Sequence, residues 1–310
     1  MFFILFIPIT YTLSMHRLEI KMSSTKYIAF LKAVECKSLT SAAEQLGYTQ
    51  PGISHMILSL ERQMGFPLLV RKKSGVTPTA DAKKLIPAIQ QIVNGEQKLQ
   101  DTVRDINGIK TGTVRIGSYY SILMNWMPDI LKNFNRQYPG IEIQLLEGDH
   151  GDIMQWLTSL DVDIALFSPP VPDGYEFIPL AEDPIFAVLP ASHPFSKAEK
   201  IEAAALMDSP FIIPGIGVDE EFRRVVNGEN LSPQVRYRVK GDAVMLNMIA
   251  KGLGVSFMAN LLLSDLPKGV VKVPLTRNYH RTLGIGVASS KYASPAAQKL
   301  ISMIRTSEIT

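Results

Sequence analysis

Residues 38–71, SLTSAAEQLGYTQPGISHMILSLERQMGFPLLVR, constrain the fold of this 310-residue chain more than any other stretch. Thr40 is a candidate N-cap, since a hydroxyl there can accept from the free N–H groups of a first helical turn. Ala42 and Ala43 are small enough to let a second helix approach closely. Gly47 is placed to stop the first helix in the left-handed conformation. Thr49 is a candidate cap for a second helix, and Pro51 falls in its first turn, where a missing N–H costs nothing. Ile53, Ile57, Leu60 and Met64 then recur at spacings of four, three and four, one apolar stripe of a helix. Gly65 and Pro67 end it. A short apolar run at 68–70, a basic turn from Arg71 through Lys72 and Lys73 to Gly75, and a return strand at 76–79 complete the pattern.

Two helices, a tight turn and a basic hairpin are the sequence form of a winged helix-turn-helix. Gln50, Ser54 and His55 lie off the apolar stripe near the start of the second helix, the end that commonly meets bases. Gln pairs well with adenine; Ser and His suit a base edge or a phosphate. Arg71, Lys72 and Lys73 suit phosphates or the minor groove. Thr40, Thr49 and Pro51 are counted with them as candidate DNA-binding residues. Double-stranded DNA is the expected partner. Charge agrees: residues 22–81 hold seven Lys/Arg against four Asp/Glu, an excess of three that equals the +3 of the whole chain.

Many positions at fixed spacing carry a resemblance. Phe30, Val34, Glu35, Ser38, Leu39, Thr40, Ala42, Ala43, Leu46, Gln50, Pro51, Ser54, Leu60, Glu61, Gly65, Leu68, Arg71 and Thr79 resemble the N-terminal signature of the LysR-type transcriptional regulators. Three positions depart from it. Leu69 stands where Phe is usual, His55 where Arg or Lys is frequent, and Ala82 where Gly is usual. The resemblance covers essentially everything from Met22 onward. It implies an α/β protein overall, with an N-terminal winged helix-turn-helix, a long linker helix, and a two-lobed α/β effector domain like periplasmic solute-binding proteins. It also implies a homodimer or homotetramer.

The same reading divides the chain into domains. Residues 1–21 are an extension that is mis-assigned or disordered, with Met22 favoured over Met1 and Met15 as the start. Residues 1–13 are apolar, but they lack a basic region and a cleavage site, and His16 and Arg17 come too soon for a membrane span. Residues 22–80 are the DNA-binding domain, 81–110 the linker and dimerisation helix, and 111–310 the effector domain. Lobe I takes 111–182 and 277–310, and lobe II takes 183–276. The helix read over 79–109 carries Leu85, Ile89, Ile92, Leu99, Val103 and Ile106 at near-heptad spacing, a stripe expected to pair with a second copy. Such a two-fold protein implies a dyad-like operator. Asn107, Gly108, Thr111 and Gly112 mark a hinge.

Beyond the hinge, strands and helices alternate. Strands are read at 113–117, 141–145, 162–167, 185–189, 211–213, 235–239, 254–257 and 283–287, and helices at 122–138, 152–160 and 295–304. A ligand cleft is expected outside the carboxyl ends of the strands. Ser118, Tyr119 and Ser121 at a helix start, Ser168 after a strand, and Gly215 in the second lobe are the candidate effector contacts. The hydroxyl-rich helix start suggests an anionic effector, such as a carboxylate metabolite.

Other chemistry finds little footing. The five histidines show no metal spacing, and the acidic turn at Asp149, His150 and Asp152 is a weak candidate at best. No phosphate loop, dinucleotide fingerprint or nucleophile elbow appears. No metal, cofactor or catalysis is expected. Cys36 is the single cysteine, expected in the core, and excludes an internal disulfide, which suits the cytoplasm. Two other classes stay open at this point: a solute-binding module without a DNA role, and an α/β enzyme.

Overall fold

The computed structural model describes residues 24–72, 75–106, 112–215, 220–291 and 293–307. The expected N-terminal extension, Lys73 at the wing tip and residues 107–111 of the expected hinge lie outside them. The chain forms two compact units that divide between Val93 and Asn94.

The first unit contains α1 (Ser24–Cys36), α2 (Leu39–Leu46), α3 (Gln50–Met64), the hairpin β1 (Leu69–Lys72) and β2 (Gly75–Pro78), and the beginning of α4 (Ala80–Ile106). Its core joins Phe30, Ala33, Ala42, Ala43, Ile53, Ile57 and Leu60, so the apolar stripe of α3 faces inward and the two alanines bring α2 close. Gly47 caps α2 at φ 70, the left-handed conformation expected of it. The N-cap expectation needs correcting: Ser38, not Thr40, caps α2, its hydroxyl accepting from the Ser41 N–H, while Thr40 lies inside the helix and is exposed. Thr49 does cap α3, and Pro51 sits in its first turn. Cys36 is only partly buried, against the expectation of a core position.

Gly75 takes φ 124, and a Cβ there would come within 2.3 Å of the Lys37 carbonyl oxygen, so only glycine closes this hairpin against α1. Thr79 locks the next junction. Its hydroxyl donates to the Pro67 carbonyl and accepts from the Ala82 N–H. Ala82 itself is fully buried in an ordinary first turn of α4, so the position where glycine is usual needs no glycine here.

The stripe on α4 divides its labour. Leu85 and Ile89 pack into the first unit's own core, whereas Ile92, Leu99 and Val103 are exposed, Leu99 by 64%. The expected single seam is therefore two: an N-terminal part spent within the chain and a C-terminal part left exposed.

The second unit contains β3 (Gly112–Ser118), α5 (Tyr120–Asn125), α6 (Met127–Gln137), β4 (Ile141–Glu147), α7 (His150–Ser159), β5 (Ile164–Phe167), β6 (Glu176–Pro190) and β7 (Pro210–Pro214). There follow α8 (Glu220–Gly228), β8 (Gln234–Val239), α9 (Asp242–Ala250), β9 (Ser256–Ala259), β10 (Val270–Pro274), β11 (His280–Val287) and α10 (Pro295–Thr306). The main sheet has the order β10-β6-β11-β5-β3-β4, and β9 also pairs with β6. β3 is parallel to β4 and β5, while β11 runs antiparallel to β5 and β6. β7 and β8 form a separate parallel pair.

β6 organises this unit. Its first part, to Pro184, pairs with β11, and its second part, from Ile185, pairs with β9 and β10. One strand thus runs through two cores. The first gathers Ile116, Ile122, Phe134, Ile285 and Leu300. The second gathers Leu206, Phe211, Phe222, Val255 and Phe257. The helix expected over 122–138 is broken at Trp126, because Pro128 has no N–H to continue the ladder and instead opens α6.

Candidate nucleic-acid interface and ligand cleft

In the first unit, Thr40, Gln50, Pro51, His55, Arg71 and Lys72 are exposed, as a surface for DNA requires. Thr49 Oγ1 accepts from the Gly52 N–H at 3.2 Å, so this hydroxyl serves the helix cap. The Arg71 guanidinium donates to Ser54 Oγ at 3.0 Å, tying β1 to the start of α3. Glu61, absent from the sequence-based site, holds the other end of the hairpin: one carboxylate oxygen accepts from the Leu68 and Leu69 N–H groups at 2.7 and 3.1 Å. The wing therefore hangs on α3 at two points, through side chains rather than a shared core alone.

In the second unit a cavity of about 320 Å³ opens beside the carboxyl ends of β3 and β4. One wall comes from α5 and the turn after β4, with Tyr119, Ser121, Glu147 and His150. The other comes from β7, α8, α9 and β9, with Glu221, Phe222, Asp242 and Phe257. This places the cavity at the strand ends where an open α/β sheet binds ligands.

Arg281 of β11 joins these walls. It is 4% exposed, and its guanidinium donates to Asp183 at 2.9 Å, to Glu221 at 2.7 Å and to Ser121 Oγ at 2.9 Å. Asp183 is 5% exposed and also accepts from the Leu261 N–H. Burial disfavours the Arg281 charge, but Glu221 and Asp183 outweigh it and hold the guanidinium pKa above its usual value. The guanidinium also stacks 5.6 Å from the Tyr119 ring centroid. Sequence reasoning missed Arg281, Asp183, Glu147 and Asp242.

The expected effector contacts separate into two groups. Tyr119 and Ser121 line the cavity. Ser118 is fully buried and donates to the Tyr119 carbonyl, and Ser168 is buried with its hydroxyl 3.1 Å from the Tyr119 phenol. Gly215 adjoins Pro214, which does line the cavity. His150 Nδ1 lies 3.1 Å from the same phenol oxygen. Burial, chiefly, pushes the Tyr119 pKa up to about 12. Asp149 and Asp152 accept from each other's backbone N–H groups as a capping box for α7, which accounts for the acidic turn. The anionic effector expected from the hydroxyls meets a contrary geometry: Ser121 Oγ is engaged by Arg281, and carboxylates dominate the lining.

Comparison with known proteins accounts for both units. Residues 25–83 match the family described as bacterial regulatory helix-turn-helix protein, lysR family, and residues 107–308 match the LysR substrate binding domain. An uncharacterized HTH-type transcriptional regulator of Bacillus subtilis, YvbU, is 27% identical over 287 residues, 92% of this chain and 98% of that protein. A full-length OxyR variant from Pseudomonas aeruginosa superposes with a TM-score of 0.74 at 20% identity, over 93% of this chain and 96% of that one. Full-length CbnR, solved in complex with its target DNA, superposes with a TM-score of 0.70 at 15% identity, over 92% of this chain and 99% of that one. Among the described residues, no helix is long and apolar enough to cross a membrane.

Proposed function

Because the chain belongs to the LysR-type family of DNA-binding transcriptional regulators, we propose specific roles for its parts. Residues 22–80 read the operator, 81–110 pair two copies, and 111–310 hold the effector, with lobe I at 111–182 and 277–310 and lobe II at 183–276. Gln50 meets a base. Ser54 and His55 meet a base edge or a phosphate, while Thr40, Thr49 and Pro51 shape the approach of α3. Arg71, Lys72 and Lys73 meet the backbone or the minor groove. The protein acts in the cytoplasm as a regulator, without catalysis of its own. The exposed Ile92, Leu99 and Val103 on α4 are the seam for a second copy.

The observation that carries this reading is the double suspension of the wing on α3. Ser54 and Glu61 hold β1 so that Arg71 and Lys72 are set beside the exposed Gln50 end of the recognition helix. Base-reading and phosphate-binding groups are then presented as one rigid surface. Effector control runs through the cavity, where Ser121, Asp183 and Glu221 share Arg281. A ligand that changes this sharing changes the relation of the two lobes.

Selection from a random pool of duplex DNA tests the reading. The expected result is a dyad-symmetric consensus that Gln50→Ala loses at some positions. Enrichment of no sequence, or an unchanged consensus with Gln50→Ala, contradicts the roles assigned.

A further inference from the structure

Once this cavity is read as the effector site, a premise on which the inference depends, its charge narrows the class of ligand. Arg281 is already engaged by Asp183, Glu221 and Ser121, so it offers no free cation to a ligand. Lys240, at the exposed rim, and His150, whose Nδ1 lies 3.1 Å from the Tyr119 phenol oxygen, are the other basic side chains of the lining among the described residues. Against them stand carboxylates from three elements. Glu147 ends β4, Glu221 lies in the first turn of α8, and Asp242 opens α9. Glu221 spends one oxygen on Arg281, and neither Glu147 nor Asp242 forms an ion pair among the described residues. The other acids of the lining are occupied: Asp149 and Asp152 cap α7, and Glu220 is held by Arg224 at 2.9 Å. The remaining wall is apolar, with Phe222, Phe257, Met258 and Leu262.

We infer that this cavity takes a small organic cation, an amine whose ammonium group sits among Glu147, Glu221 and Asp242 and whose apolar body lies on Phe222 and Leu262. An ammonium brings up to three N–H donors to this acidic cluster, where Glu147 and Asp242 have no cationic partner among the described residues, and an aromatic wall favours the same charge. An anion of equal size would meet a field of its own sign. Burial, then the charge of Glu221, push the Asp242 carboxyl upward, against a downward pull from Arg281 and with a smaller upward push from Glu147, so Asp242 feels the negative charge of both partners in this lining. Drawing Glu221 toward the ligand loosens its bond to Arg281, so that occupancy is felt at the strands joining the two cores.

Titration calorimetry on the full-length chain tests this with benzylamine and 1,5-diaminopentane, set against benzoate and glutarate. The expected result is saturable binding of an amine and none of the carboxylates. Asp242→Asn and Glu147→Gln should each weaken amine binding by about tenfold or more. Glu147 is exposed, so its variant keeps the test readable should Asp242→Asn fold poorly. Leu262→Trp, which fills the cavity, should abolish binding. Carboxylate binding that Leu262→Trp abolishes overturns the cationic class and leaves the cavity as the ligand site. Amine binding indifferent to all three variants overturns both the class and the site. No heat with either amine overturns the cationic class.

Discussion

Replacing Arg281 by Met puts the buried network of the second unit to a quantitative test. The wild-type guanidinium is 4% exposed and makes hydrogen bonds to Asp183, Glu221 and Ser121. Met fills most of the volume but leaves the Asp183 carboxylate, 5% exposed, with the Leu261 N–H as its remaining donor among the described residues. Breaking a buried pair in this way costs about 3–5 kcal/mol, because the stranded charge keeps its desolvation penalty. For a unit of this size each kcal/mol moves the midpoint by roughly 2–4 °C, so the melting transition should fall by roughly 6–20 °C. Differential scanning calorimetry of the full chain reads it directly. Adding Asp183→Asn removes the stranded charge, and the double variant should recover part of the loss. A fall below about 2 °C, or a double variant no better than the single one, refutes the claim that Arg281 offsets a buried charge.

Three further outcomes are expected. Gln50→Ala should flatten sequence preference with little effect on random DNA, whereas Lys72→Ala should weaken all DNA alike and reduce the salt slope by about 1, both read by fluorescence anisotropy across a salt series. Tyr119, held at about 12 against an ordinary 10, lends stability that is intact below pH 10 and lost as pH climbs toward 12. Tyr119→Phe should therefore lose less stability than the wild type in urea melts between about pH 9 and about pH 11. Leu99→Glu, at a position 64% exposed, should spare the fold by circular dichroism yet shift the sedimentation profile toward monomer, and an unchanged profile would place the seam elsewhere.

What the sequence made legible was the local part of the molecule. Thr49, Pro51, Gly47 and Gly65 act within one helical turn of themselves, and the structure uses each of them as their chemistry suggests. Ser38 and Thr40 show the limit even there: two hydroxyl residues near one helix start are both competent caps, and only the backbone path decides that Ser38 accepts the bond. The first half of β6 was hidden because Pro179 and Pro184 interrupt its alternation. The structure accommodates Pro179 at a bulge opposite Gly284, where the ladder shifts register. The cleft was hidden for a different reason. Arg281 lies 98 residues from Asp183 and 160 from Ser121, and no local pattern encodes such pairs. Nor was there a local signal at Arg281 itself: it sits between His280 and Thr282, ahead of the apolar run read as the strand at 283–287, and looks like an ordinary polar strand end. The hydroxyls near Ser118 were visible, but not that the structure buries Ser118 and spends Ser121 on Arg281.

The central claim is a winged helix that reads DNA sequence under the control of a ligand cavity. A nuclease footprint of the full chain on the intergenic DNA beside its own gene tests it most directly, at two salt concentrations and with excess competitor DNA. The expected result is a dyad-like protected site that survives both, and whose boundaries change when a cavity ligand is added. Protection that vanishes with salt and competitor would contradict the claim, leaving only backbone attraction and no sequence reading by α3.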